Sequence, residues 1–166
     1  MLHIYRRFSE INITELMKVY EQSNRDRGTL EYPDEPDGLQ ITLAEQDFYS
    51  YLNEDFFSNP NSLYFIWEKE GKYLCAARLE QYKDGFLVEG IETRPTERRM
   101  GYASLVLSGL LKHIKENMKA CVYSHVKKNN KASLALHKSC GFEVISDAAL
   151  LIDGTFSREY QTLVNR

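Results

Sequence analysis

Between Ala103 and Met118, apolar residues recur at spacings of three and four: Val106, Leu107, Leu110, Leu111 and Ile114. That is the stripe of an amphipathic helix packed on a core. Just upstream, Phe86 to Thr93 reads as a strand that ends before Pro95. Nearer the start, Leu2 to Arg7 reads as a strand. Ile13, Leu16, Met17 and Tyr20 then mark one face of a helix over Ile11 to Gln22. Ser23 to Gly38 holds Gly28, Pro33, Pro36 and Gly38 among Glu31, Asp34, Glu35 and Asp37, so it reads as an acidic loop. A helix over Thr42 to Asn53 follows, with Leu43, Phe48 and Leu52 inward. Leu63 to Glu68 and Tyr73 to Glu80 are strands parted by Glu70-Gly71, and Asp84-Gly85 is a strong hairpin signal into Phe86. Ala120 to Val126 reads as a strand and Lys131 to Ser139 as a helix. Phe142 to Ile152 and Thr155 to Val164 read as a hairpin across Asp153-Gly154. The pattern predicts a single α/β domain over residues 1–166, in the order β-α-α-β-β-β-α-β-α-β-β.

Bulk properties narrow the class. The 166 residues are 43% hydrophobic and 27% charged, with a formal net charge of −3. That balance suits a globular core and argues against a general nucleic-acid binder. No run reaches the roughly 18 apolar residues of a membrane span, and the N-terminal residues lack a signal-peptide pattern. Cys75, Cys121 and Cys140 have neither disulfide-scaffold nor zinc-ligand spacing. The expectation is a cytoplasmic protein with reduced, core-packed thiols and no metal site.

Arg98-Arg99-Met100-Gly101-Tyr102-Ala103 occupies the junction of the strand and the long helix. First-turn N–H groups lack helical partners, and with the helix dipole they favour a phosphate or diphosphate. Gly101 removes a side chain that would hold a ligand off the backbone, and the two arginines add positive charge. Taken alone, the stretch fits an anion site and plain helix initiation about equally. Arg-x-x-Gly-x-Ala after a strand ending in x-Pro nevertheless resembles the coenzyme A diphosphate loop of the GNAT superfamily of N-acetyltransferases.

A second stretch is in register with that family's signature near the acyl end of coenzyme A: Asn130, Ser133, Leu136, His137, Gly141 and Phe142. Read locally, it is a helix capped by Asn130 and ended by Gly141. Together the motifs span about residues 86–142, and the element order is also that of the GNAT fold. The resemblance implies a mixed, mostly antiparallel sheet of about seven strands flanked by about four helices. It implies acetyl-CoA as cosubstrate and direct acetyl transfer to a primary amine in a ternary complex, the acceptor being a small-molecule or peptide or protein amine. A non-catalytic acyl-CoA sensor of the same fold is the alternative reading.

The resemblance also assigns residues. Backbone groups of Arg99, Met100, Gly101, Tyr102, Ala103 and Ser104 would cradle the diphosphate, with Arg98 and Arg99 adding charge. Ile91 and Thr93 lie on the strand that would pair with the pantetheine arm. Asn130 would bond that arm or steady its loop, with Ser133 beside it. His137 stands where many relatives carry a tyrosine that protonates the thiolate; a buried, hydrogen-bonded structural histidine is the competing reading. Glu89 and Glu92 are the candidate bases, Glu92 narrowly preferred. Their separation of three puts them on opposite faces unless a bulge intervenes. The acidic loop either favours a cationic amine or is simply solvated, and Phe156, Tyr160 and Leu163 offer either a homodimer edge or just the end of the sheet.

Overall fold

The computed structural model describes residues 1–166. Its chain order is β1 (Leu2–Tyr5), α1 (Ile13–Val19), α2 (Glu21–Glu31), α3 (Asp37–Ser50), β2 (Leu63–Lys69), β3 (Lys72–Tyr82) and β4 (Gly85–Thr93). Then come α4 (Tyr102–Asn117), β5 (Val122–Lys127), α5 (Lys131–Ser139), β6 (Glu143–Ser146), β7 (Ala149–Leu150), β8 (Phe156–Ser157) and β9 (Tyr160–Asn165). A seven-stranded mixed sheet runs β1-β2-β3-β4-β5-β9-β6. Its only parallel pair is β4 with β5.

Two cores sandwich the sheet. On one face, Val106, Leu107, Leu110 and Ile114 of α4 pack on Leu63, Phe65, Ala77, Leu79 and Val88. On the other, Leu16, Val19 and Phe48 cover Tyr64, Ile66 and Ala76. The period-2 alternation of β2 and β3 serves both faces, so every residue from Leu63 to Ile66 is buried.

Three sequence expectations change. Residues 21–31 form a helix, so five helices flank the sheet and only residues 32–36 connect α2 to α3. Gly28 is a contact rather than a turn: a Cβ there would stand 2.5 Å from the Gln40 carbonyl oxygen of α3. The C-terminal hairpin is broken: β6 pairs with β9, while β7 and β8 form a separate two-stranded ribbon. Glu89 and Glu92 share a face. Glu92 opposes Ala76 and Glu89 opposes Arg78, with a register shift between them at Gly90, whose φ is +55°. The extra residue of this bulge inverts the alternation.

Candidate active site

The bulge lies where β4 and β5 separate. They pair only from Phe86–Val122 to Val88–Ser124, so beyond Val88 the β5 side of β4 faces no strand. A wedge-shaped opening results, its walls being the ends of two strands.

On the α4 side of this wedge, Ile91 packs against the core, and the chain passes Thr93 into the Arg98 turn. Arg99 and Gly101 both adopt left-handed backbone conformations, with φ of 67° and 82°, which swing the chain into α4. The first backbone bond of α4 runs from Leu105 N–H to the Gly101 carbonyl, so Tyr102, Ala103 and Ser104 N–H have no backbone acceptor. A Cβ at Gly101 would meet nothing within 4 Å. Arg98, Arg99, Met100 and Ser104 are exposed. Free donors, an open approach and two guanidinium groups fit a diphosphate.

Asn130 caps α5 by accepting from Ser133 N–H at 3.0 Å. His137, buried at 2% exposure, points inward. Its Nδ1 lies 2.8 Å from the Ser133 carbonyl and can only donate there, which leaves Nε2 unprotonated in the neutral ring. Nε2 is buried without a partner, and Phe142 packs edge-on at 4.9 Å. Burial holds the imidazole pKa below its usual value, partly offset by the Ser133 bond.

On the opposite side of the sheet lies a cavity of about 310 Å³, lined by Arg78, Glu89, Gly90, His125, Leu151, Ile152, Asp153 and Tyr160. Burial pushes the Glu89 carboxyl above its ordinary pKa; Arg78 opposes that shift, and Glu80 and Asp153 reinforce it. Glu92 is also raised by burial, but Ser23 Oγ donates to it and pulls it back, as does Arg98. The bulge is pinned from the junction of α1 and α2: Tyr20 Oη donates to the Gly90 carbonyl at 2.6 Å and accepts from Tyr64 Oη at 2.9 Å.

The sequence reading gave no place in the site to Arg78, His125, Asp153, Tyr160, Tyr20 or Ser23. Arg78 sits mid-strand between apolar neighbours, the one signal that could have singled it out. The acidic residues around Tyr32 lie at the far end of α2 from Ser23, about 14 Å along the axis, and none lines the cavity. The three thiols are unpaired, and burial pushes Cys75 up to about 12. No helix is long and apolar enough to cross a membrane, and no cluster of residues suits a metal ion.

The acetyltransferase (GNAT) family model matches residues 15–142. No curated protein sequence matches the chain significantly. Among solved structures, the PaiA N-acetyltransferase of Thermoplasma acidophilum in complex with coenzyme A superposes with a TM-score of 0.66 at 13% identity, covering 100% of this chain and 99% of that one. The ribosomal-protein-alanine N-acetyltransferase of Brucella melitensis gives 0.65 at 14% identity, covering 99% and 98%. The N-acetyltransferase PseH of Campylobacter jejuni, in complex with acetyl coenzyme A, gives 0.64 at 12% identity, covering 100% and 99%. These likenesses establish the shared fold.

Proposed function

This chain belongs to the acetyltransferase (GNAT) family, and on that premise we propose that it moves the acetyl group of acetyl-CoA directly to a primary amine. The observation that supports the reading is the gap beyond Val88, with an anion-receptive turn at the start of α4 and a cavity lined by Glu89, Asp153 and Arg78 beside the bulge. A thioester entering from the turn meets an amine entering from the cavity at the bulge.

Tyr102, Ala103 and Ser104 N–H, with Arg98 and Arg99, hold the diphosphate; acetyl-CoA bound there supplies the activated acyl carbon. Asn130 and Ser133 form the capped start of α5 on the same side, and Ile91 and Thr93 belong to the strand end beside the arm. The amine attacks only when neutral. Glu89 is the better-placed base, because it lines the cavity and is poised upward by burial. Glu92 is engaged by Ser23 and anchors α2 to the strand end. The amine nitrogen bonds to the carbonyl carbon, its proton passes to Glu89 directly or through water, and the carbon–sulfur bond breaks. His137 takes no part: its protonated nitrogen is committed to the Ser133 carbonyl, and its free nitrogen is unprotonated. The thiolate takes its proton from solvent.

Thiol release from acetyl-CoA over a panel of amines and peptides tests the proposal, with turnover of at least one acceptor expected. Tight acetyl-CoA binding with no turnover of any acceptor would mark an acyl-CoA-binding module instead.

A further inference from the structure

The cavity beside the bulge contains a cation, Arg78, that no protein group hydrogen-bonds, although Glu89 is its cross-strand neighbour. Arg78 extends from β3 with its guanidinium carbon 5.4 Å from the Phe48 ring centre and 5.2 Å from that of Tyr51. Its Nε is buried without a hydrogen-bond partner. Only Nε is closed off; the residue is half-buried, and its terminal nitrogens stay accessible at the cavity it lines. No ion pair forms with Glu89 or Glu80; Glu80 instead accepts from Tyr51 Oη at 2.7 Å. Gly90 makes room for it, since a Cβ there would stand 3.0 Å from a terminal guanidinium nitrogen.

The two aromatic faces offset part of the cost of burying this charge, but they satisfy none of its five donors. Burying a guanidinium with idle donors is expensive, and the fork geometry suits a carboxylate best. A second idle group lines the same cavity. His125 of β5 has both ring nitrogens buried and unpartnered. Neither nitrogen is open to the cavity, so His125 shapes the wall without donating into it. Glu89, the cross-strand neighbour of Arg78, and Asp153 line the same cavity, and their charges suit an ammonium.

We infer that the acceptor is a small zwitterionic amine of the amino-acid type, its carboxylate held by Arg78 and its amine presented to Glu89. The inference rests on the acetyltransferase reading above and deepens it. At about 310 Å³ the cavity falls at the small end of ligand sites, which suits a free amino acid. The positive guanidinium opposes polyamines, which have no anionic group to offer it. Arg78 is a specificity residue here; it touches neither the acyl carbon nor the amine nitrogen.

The test compares free amino acids with the matched amines that lack the carboxylate, using the full-length protein, acetyl-CoA and thiol release. The best amino acid is expected to exceed its carboxylate-free partner in kcat/KM by at least about 30-fold, the usual cost of leaving a buried charged donor unpaired. In R78M that ratio collapses toward one, mainly through KM for the amino acid, while KM for acetyl-CoA is unchanged. R78K retains a charge without the fork and falls between. Equal turnover of the two series, or preference for the carboxylate-free amines, overturns the inference and leaves the acetyltransferase function standing. Turnover of neither series, with peptides also inert, overturns the function itself. Should R78M fail to fold, the ratio measured with the unaltered protein decides.

Discussion

Replacing Glu89 with glutamine separates two consequences of burying a carboxylate beside the bulge. Glutamine keeps the shape of the protonated acid and cannot accept a proton. If Glu89 takes the amine's proton, kcat/KM for the best acceptor falls by about 100- to 10,000-fold, the worth of a positioned general base. That is about 3–5 kcal/mol of barrier. KM for acetyl-CoA does not move, because nothing in the α4 turn has changed. Stability moves the other way. Burial raises the folded-state pKa of Glu89 above its ordinary value, even with Arg78 opposing the shift. Below the ordinary value the carboxyl is protonated in folded and unfolded chains alike, and it costs nothing. As pH rises through the raised value, the folded protein must ionise a buried group while the unfolded chain has already done so, and stability is lost. E89Q is spared that loss. It should therefore melt at a higher temperature than the parent near neutral pH, with the gap closing below the ordinary glutamate range. Initial rates and thermal melts across that range read both effects on the same samples. An unchanged kcat/KM in a folded E89Q refutes the assignment of the base, and a lower neutral-pH Tm refutes the electrostatic argument.

Tyr20→Phe removes the donor to the Gly90 carbonyl and strips Tyr64 of its acceptor; urea melts should show a loss of about 1–3 kcal/mol, and a variant of parental stability would mean the bulge holds itself. Replacing Arg98 and Arg99 together by alanine should raise KM for acetyl-CoA, most at low salt, while leaving kcat at saturating cosubstrate intact. Gly28→Leu forces a side chain against the Gln40 carbonyl and should cost about 1–3 kcal/mol, visible as a lower urea midpoint. Neutralising Asp34, Glu35 and Asp37 together should leave the acceptor KM unchanged, since none of them lines the cavity; a raised KM would bring that connection back into the site.

How far the sequence discloses this molecule depends on whether a residue's task is written in local pattern or in long-range contact. Helix α4 was legible because it packs on the sheet through Val106, Leu107, Leu110 and Ile114, and burial imposes the helical period on hydrophobicity. Helix α5 was legible from its cap, since Asn130 bonds Ser133 three residues on. Helix α2 had no such signal. Its buried residues are Asn24 and Gly28, its one leucine is 81% exposed, and its surface is tied by Gln22 to Asp26 and Arg27 to Glu31. Its inner face works by letting α3 approach, so the glycine that makes the contact looks like a breaker. The same division runs through the site. The anion turn is local, and the order arginine, glycine, helix displays it. The cavity proposed for the acceptor is assembled from β3, β4, β5, β9 and the loop between β7 and β8, and no spacing in the chain brings Arg78 to His125 or Asp153. Even the facing of Glu89 and Glu92 is set by one extra residue at Gly90, which a rule of alternation cannot see. Where the proposed diphosphate turn is one stretch of chain and the proposed acceptor cavity draws on five, the second is where sequence reading should be weakest, and where a charge without a hydrogen-bond partner says most.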